Sequence, residues 1–259
     1  MNNVQKQYLH DLIMSGKREG RGLEDFRKIE METGVIYKAE GSARVRIGNT
    51  DVISGIKIDV GEPFSDRPDE GVIMVNAEFS PMAHPEFETG RPGEDSVELA
   101  RVVDRGIRES HAINLKKLCI KEGEKVWMVF ADIQIMNHDG NLIDASALAT
   151  IAALWTAKLP ELDEKTGRVD LTKKGKKALP MDHKPISVTI HKVGDKFILD
   201  PTFEEEHLVE TRFTVATKDD GNLCAIQKGG SQSLSLDEIY KAFDISIKKG
   251  KELRKLIKG

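Results

Sequence analysis

The pattern of apolar and polar positions predicts strands followed by helices, and this order occurs twice along the chain. In the first half, Ala43, Val45 and Ile47 alternate with arginines, as expected of a half-buried strand. Gly48-Asn49 then predicts a turn. Further strands are predicted from their β-branched and apolar residues at 52–58, 72–79 and 126–136.

Helices are predicted where the apolar spacing changes to the helical period. The predicted helices of the first half cover residues 5–15, 95–111 and 145–158. Glu98 stands three residues after Asp95, which predicts a capping box at the start of the second of these helices. The third helix is apolar throughout, so we expect it to be buried.

The second half repeats the plan in a smaller form. Two hairpins are predicted, 186–191 with 196–199 and 213–217 with 223–227. A long helix follows from Ser235, with Glu238 as its capping partner and many lysines in its last turns.

A change of composition between the halves, with several prolines, glycines and lysines, predicts a connection. The predicted organisation is an N-terminal helix and arm at 1–30, a first half at 31–165, a connection at 166–184 and a second half with the C-terminal helix at 185–259. The predicted fold class is α+β, with two similar strand-and-helix layers.

Composition narrows the class of protein. The chain has 259 residues, 39% of them hydrophobic, so it can bury a sizeable core. A formal net charge of −4 gives no overall positive field, so any polyanion must bind at a local basic patch. Cys119 and Cys224 are far apart, and no run approaches the roughly 20 apolar residues of a membrane span. We therefore expect a cytoplasmic protein without a membrane partner.

The segment 138–146 lies between a predicted strand and an apolar helix, the context in which backbone amides often bind a phosphate. Asp139 and Gly140 fit such a loop, but Asn141, Leu142 and Ile143 follow them. Neither Leu142 nor Ile143 offers a hydroxyl or a guanidinium to an anion. The sequence predicts a degenerate phosphate loop.

Motifs distributed over roughly residues 20 to 250 resemble those of the RNase PH family, and among its members the non-catalytic RNase PH-like subunits of the archaeal exosome. The matching motifs are Gly20-Arg21 with Arg27, Gly41-Ser42-Ala43, Gly48-Asn49-Thr50, Gly93-Glu94-Asp95, the basic segment 98–108 and Asp200-Pro201-Thr202 with the three glutamates that follow.

The resemblance implies an RNase PH-like fold (ribosomal protein S5 domain 2-like). It implies a ring subunit that binds single-stranded RNA and helps to structure the active site of a catalytic RNase PH-like partner. That partner would be a phosphorolytic 3′-to-5′ exoribonuclease, which releases nucleoside diphosphates. The implied assembly is a hexameric ring of three heterodimers with RNA-binding cap subunits, and no cofactor is implied.

The resemblance also implies that catalytic residues are missing here. Active members carry two acids, and in this chain Glu205 stands at the first position and Thr211 at the second. A threonine is no general acid near neutral pH, so we expect a degenerate acidic site. Two alternatives stay open: an active exoribonuclease that uses Glu205 with Glu210 or Asp200, and a small-molecule enzyme or scaffold on the same fold.

Arginines on the helix at 95–111 are the candidate RNA-binding residues. Arg101, Arg105 and Arg108 fall at i, i+4 and i+7, so they form one stripe, and Arg91 precedes the helix. The alternative is pairing with acids of the same helix, which are Glu98, Asp104 and Glu109.

Metal binding is not expected. The three glutamates at 204–206 are adjacent, and adjacent acids in a strand or loop do not converge on one ion, so the run is interpreted as a solvated or interface-facing segment. The histidines show no metal-ligand spacing.

Overall fold

A computed structural model of the protein describes residues 1–163, 168–169 and 175–258. Within these ranges the helices are α1 Asn3–Met14, α2 Glu94–Glu109, α3 Leu142–Thr156, α4 Phe203–Glu206 and α5 Leu236–Arg254, with a 3-10 turn at Leu115–Leu118. The strands are β1 Ile29–Thr33, β2 Gly41–Ile47, β3 Thr50–Gly61, β4 Val72–Phe79, β5 Cys119–Lys121, β6 Lys125–Asn137, β7 Lys158–Leu159, β8 Leu162–Asp163, β9 Arg168–Val169, β10 Lys177–Ala178, β11 Ile186–Val193, β12 Lys196–Leu199, β13 Thr211–Thr217 and β14 Leu223–Gly230.

The first half forms one sheet in the order β1-β2-β3-β6-β4, with β5 beside one end of β6. All of its pairs are antiparallel except β4 with β6, which run parallel from Val72↔Met128 to Phe79↔Ile135. Strand β3, and β2 from Ala43 onward, alternate between buried and more exposed positions, as the period of two requires for a sheet with one covered face.

The second half forms a four-stranded antiparallel sheet in the order β12-β11-β13-β14. Strand β11 is buried at nearly every position, because the helices α3 and α5 both pack against it. The predicted turns at Gly194-Asp195 and before Leu223 both join neighbouring strands, as expected.

Helix α3 holds the two sheets together. It contacts β2 and β3 of the first sheet and β11 of the second, and every residue from Asp144 to Leu154 is buried. Helix α2 lies beside it and contacts β4 and β14. Helix α5 packs on β11 and β13. The predicted α+β architecture of two strand-and-helix layers is confirmed, and the all-round apolar sequence of α3 is explained by its place between them.

Two predicted helix starts are wrong. Helix α2 begins at Glu94 after Gly93, and the cap has no side-chain hydrogen bond, so the capping box expected at Asp95 does not form. Helix α3 begins at Leu142, three residues before the predicted Ala145, because Asn141 takes a left-handed conformation (φ 53°) that turns the chain directly into the helix.

The N-terminal arm is not an exposed segment. Arg18 is 5% exposed and lies among groups of the second half. Strand β1, which pairs with β2 from Ile29↔Ile47 to Thr33↔Ala43, was not predicted at all. The arm is therefore part of the folded body.

The predicted connection is only partly described. Residues 166–167 and 170–174 lie outside the described residues, so its limits stay a prediction. In the described part, β10 pairs with β7, and Met181 forms a bridge with Ile113. Both contacts tie the connection to the first half.

Candidate functional site: a phosphate-type loop that holds a carboxylate

The loop between β6 and α3 is held from two sides. Thr50 Oγ1 donates a 2.6 Å hydrogen bond to the carbonyl of Gly140. Gly140 has φ +84°, and a Cβ there would lie 2.2 Å from the carbonyl oxygen of Pro201. Only glycine permits so close an approach of the segment at 201–203. The loop therefore touches the first helical turn that follows Asp200-Pro201-Thr202.

A carboxylate of the protein itself lies at the N-terminus of α3. The backbone amide of Asn141 donates to Glu206 Oε1 at 2.8 Å. Helix N-termini favour anions through their free amides and the helix dipole. Burial nevertheless raises the pKa of Glu206 to about 7, although the Asn141 amide and nearby arginines act in the opposite direction. The backbone amide that would bind a phosphate oxygen in a loop of this type is thus already hydrogen-bonded to Glu206.

Three arginines of the N-terminal segment, Arg18, Arg21 and Arg27, surround two buried acids of the second half. Arg27 Nη2 donates to Asp200 Oδ1 at 2.7 Å, and Arg21 Nη1 donates to Asp200 Oδ2 at the same distance. The Arg18 guanidinium donates two hydrogen bonds to the Glu205 carboxylate. Nε donates to Oε1 at 2.8 Å, and Nη2 pairs with Oε2. These five residues are named the arginine clamp.

The arginine clamp explains why the pKa of Glu205 is lowered. Burial opposes its ionisation, but hydrogen bonds and charge from Arg18, with the Thr202 amide and Arg21, hold the pKa of Glu205 below its ordinary value. The carboxylate accepts from Arg18, Arg21 and the Thr202 amide. A carboxylate held in this way is a structural anion and is poorly suited to donate a proton.

The clamp reaches the degenerate loop. Arg27 Nη1 donates to the carbonyl of Asp139 at 2.6 Å and contacts Asp139 Oδ2 at 3.1 Å. Asn141 Nδ2 donates to Asp200 Oδ1 at 3.0 Å. The structure therefore brings the predicted Asp139, Gly140 and Asn141 together with Glu205, through Asp200.

A second buried acid lies just inside α3. Asp144 accepts from Thr189 Oγ1 at 2.7 Å and from the Thr189 amide at 3.2 Å. Burial raises the pKa of Asp144 to about 7 against these two hydrogen bonds. Thr189 Oγ1 also lies 2.9 Å from Thr214 Oγ1, so Asp144 links α3 to two strands of the second sheet.

A cavity of about 380 Å³ opens beside the loop. Its wall includes Asn141 and Leu142, together with Thr211 from the predicted acidic site. Thr211 Oγ1 donates to the carbonyl of Gln232 at 2.7 Å. Glu205 is not in the wall, and the glutamates that face the cavity are Glu86, Glu98, Glu206 and Glu210. Of the predicted degenerate acidic site, only Thr211 faces this cavity, and the joint role of Glu205 and Thr211 stays a prediction.

Aromatic rings line the same cavity. Phe203 lies 5.1 Å from His138 in an edge contact, and Phe87 stacks on His138 with centroids 5.5 Å apart. Burial is the main cause that lowers the pKa of His138 to about 4 and that of His191, also in the wall, to about 3. Both imidazoles are therefore neutral near pH 7. No pattern along the chain indicates this cluster, because Phe87, His138 and Phe203 are far apart in the sequence.

The three arginines of the predicted stripe on α2 have different surroundings. Arg105 Nη1 donates to Gln227 Oε1 on β14 at 2.8 Å. Arg108 pairs with Asp104 at 2.8 Å and donates to the carbonyl of Ile73 on β4 at 3.0 Å, as the alternative of intrahelical pairing predicts. Arg101 and Arg91 are exposed, and within the described residues neither forms an ion pair. Their role in RNA binding stays a prediction.

The glutamate run is not a solvated segment. Glu205 is buried, Glu206 is partly buried, and only Glu204 is exposed, because the run forms the short helix α4 and does not extend as a strand or loop. Across the described residues, no cluster of three or more His, Cys, Asp or Glu could hold a metal ion. None of the described helices has the length and apolarity needed to cross a membrane.

The family is decided by two matches that together span most of the chain. The 3′ exoribonuclease family, domain 1, matches residues 25–160, and domain 2 of the same family matches residues 183–249. The chain belongs to the RNase PH family. The resemblance inferred from the motifs is confirmed, and the RNase PH-like fold is confirmed with it.

Relatives within the RNase PH family extend over nearly the whole chain. The exosome complex component Rrp42 of Methanosarcina acetivorans is 48% identical over 98% of this chain and 93% of its own length. Rrp42 of Thermococcus gammatolerans is 47% identical over 99% of this chain and 95% of its own length.

A solved structure described as an Archaeoglobus fulgidus exosome with RNA bound to the active site has a TM-score of 0.91 and 47% identity. The match covers 99% of this chain and 98% of that chain. Rice Rrp46 is 16% identical with a TM-score of 0.68, over 92% of this chain and 97% of its own, and shows the shared fold alone.

Proposed function

We propose that this chain is a non-catalytic ring subunit of an archaeal-type RNA-degrading exosome. The observation that carries the proposal is the hydrogen bond from the Asn141 amide to Glu206. A phosphate that approached α3 would meet this carboxylate where it needs a donor, and Leu142 adds no hydroxyl. The identity to Rrp42 proteins of archaea supports membership in such a complex.

The acidic side of the site supports the same proposal. Glu205 is ionised and held by arginines, and Thr211 is engaged with a backbone carbonyl. Phosphorolysis needs both a bound phosphate and a group that supplies a proton to the leaving oxygen. Neither requirement is met by the residues at these positions.

The chain contributes to its complex in two other ways in this proposal: it binds RNA, and it helps to structure the active site of its catalytic partner. Arg101 and Arg91 offer exposed guanidiniums to the backbone of single-stranded RNA, and Arg105 lies one helical turn after Arg101 on α2. The partner is a catalytic RNase PH-like subunit, in a hexameric ring of three heterodimers that also binds RNA-binding cap subunits. A cytoplasmic location fits this role.

The alternative of a catalytic chain has one observation in its favour, since Glu206 and Glu210 line one cavity. The test measures nucleoside diphosphate release from poly(A) with inorganic phosphate for this chain alone, for an RNase PH-like partner alone and for the two together. We expect activity only when the partner is present, unchanged by Glu210→Gln in this chain. Release by this chain alone, abolished by Glu210→Gln, would overturn the proposal.

A further inference from the structure

The cavity beside α3 has an acidic wall. Its ionisable residues besides the histidines are Glu86, Asp95, Glu98, Glu206, Glu210 and Arg212. Arg212 is the only lysine or arginine that the described residues contribute, and it forms an ion pair with Glu98 at the wall. His138 and His191 are neutral near pH 7, so they do not offset the acids. An anion is electrostatically disfavoured in this cavity, and a cation is favoured.

Two further observations give the cavity the features of a ligand site. Phe79, Phe87 and Phe203 supply aromatic surface next to the carboxylates. The lining residues Asn141 and His191 are 2% and 4% exposed, and Asn141 Oδ1 and His191 Nδ1 have no hydrogen-bond partner. Buried polar atoms are normally paired, so two unpaired atoms in one wall indicate a missing partner. The volume falls within the range of small-molecule sites.

We propose that this cavity binds an organic cation that carries a primary ammonium or guanidinium group. Glu206 and Glu210 would accept its N–H groups, while the faces of the phenylalanines would contact the cation and its methylene chain. The site goes beyond the proposed function, because it would exist in this chain whether or not the chain joins an exosome ring. The charge preference of this cavity is therefore opposite to that of a phosphate-binding loop.

The test is isothermal titration calorimetry of the full chain with agmatine and with spermidine at pH 7.5, and with inorganic phosphate as the anionic probe. We expect saturable one-to-one binding of an amine and none of phosphate. Glu210→Gln is expected to weaken binding about tenfold, the effect of losing one charge-assisted hydrogen bond. Phe87→Leu should weaken it as well. Glu204→Gln is the matched control, since Glu204 is exposed on α4 and absent from the wall.

A second arm identifies the source of the cation. Amine binding that persists when the chain is bound to its RNase PH-like partner indicates a soluble amine. Binding that the partner abolishes indicates that a lysine or arginine of the partner fills the cavity. Either result supports the site. No saturable amine binding by the chain alone, equal binding by wild type and Glu210→Gln, or binding of phosphate would overturn it.

Discussion

The Asn141 amide and the Glu206 carboxylate are joined by a 2.8 Å hydrogen bond, although 65 positions separate them in the chain. This bond places a carboxylate at the N-terminus of α3, where a loop of this type would hold a phosphate oxygen. The missing loop residues and the internal carboxylate are thus two separate obstacles to phosphate binding.

Restoring the loop side chains alone is predicted to fail. Leu142→Ser with Ile143→Arg supplies a hydroxyl and a guanidinium, but Glu206 still occupies the Asn141 amide. Adding Glu206→Gln should yield phosphate binding at least about tenfold tighter than in the double variant, because the like charge of a partly buried carboxylate is removed. Isothermal titration calorimetry with phosphate at pH 8 measures the affinity of the double variant and of the variant that also carries Glu206→Gln. Equal affinity after Glu206→Gln and after the control Glu204→Gln would contradict the idea.

The buried Asp144 makes stability depend on pH. Its pKa is raised to about 7 in the folded state, so the native protein holds a proton that the unfolded chain has released. The free energy of unfolding contributed by this group therefore falls as the pH rises from about 4 to about 7. Asp144→Asn should remove up to about 1.4 kcal/mol per pH unit of that slope.

Urea unfolding between pH 5 and 7 measures this slope. The lowered pKa values of His138 and His191 act with the opposite sign, so the comparison of variant with wild type carries the test and the overall slope does not. The exposed Asp244 provides the control Asp244→Asn, which should leave the slope unchanged. Identical slopes in wild type and Asp144→Asn would be the contrary result.

Breaking the arginine clamp is predicted to destabilise the fold strongly. The side chains of Arg18 and Glu205 are 0% and 6% exposed, so Arg18→Met leaves a buried carboxylate without its main partner. A loss of roughly 3–5 kcal/mol in the free energy of unfolding is expected. Chemical denaturation measures it, with the exposed neighbour in Lys17→Met as the control. A change below about 1 kcal/mol would show that Arg21 compensates for the loss.

The arginines of α2 should contribute unequally to RNA binding. Arg101 is exposed without an ion pair among the described residues, whereas Arg108 is paired with Asp104. Arg101→Gln is therefore expected to weaken binding of labelled oligo(A) to the assembled complex more than Arg108→Gln. It should also reduce the slope of log affinity against log salt by about one.

Fluorescence anisotropy at several salt concentrations makes this comparison. Arg67→Gln, at an exposed arginine outside α2, serves as the control and should change neither quantity. A larger effect of Arg108→Gln than of Arg101→Gln would show that the ion pair with Asp104 opens to bind RNA.

The capping residues Ser235 and Asp95 are predicted to contribute unequally to the free energy of unfolding. Ser235 forms a complete capping box with Glu238 at the start of α5, whereas Asp95 lies inside α2 and caps nothing. Ser235→Ala should lower the free energy of unfolding by about 1 kcal/mol. Asp95→Ala should cost less, because it removes only a charge near the helix N-terminus. Thermal unfolding of both variants measures the difference, and equal losses would contradict the assignment.

Local signals in the sequence were sufficient for much of the secondary structure. The bounds of β4 at Val72–Phe79 were predicted as they stand, since β-branched residues act over a few positions. The hairpin around Gly194-Asp195 was also predicted, because a two-residue turn is a local signal, but its first strand ends at Val193 and not at His191. The cap of α5 at Ser235 was predicted for the same reason. The capping pattern at Asp95 failed because Gly93, in an extended conformation, is the N-cap residue, so that the helix begins at Glu94 and Asp95 lies inside it.

The sequence by itself determined the family, the α+β architecture and the loss of hydroxyl and guanidinium groups after Gly140, because each is written in side-chain identity or short-range spacing. Only the tertiary structure decided that Arg18 clamps Glu205, 187 positions away, and that Glu206 occupies the amide of Asn141. Those contacts depend on how the two halves pack around α3. Burial and ion pairing between distant segments leave no periodic trace along the chain, so an arginine-rich arm and a glutamate run looked solvated until the fold brought them together.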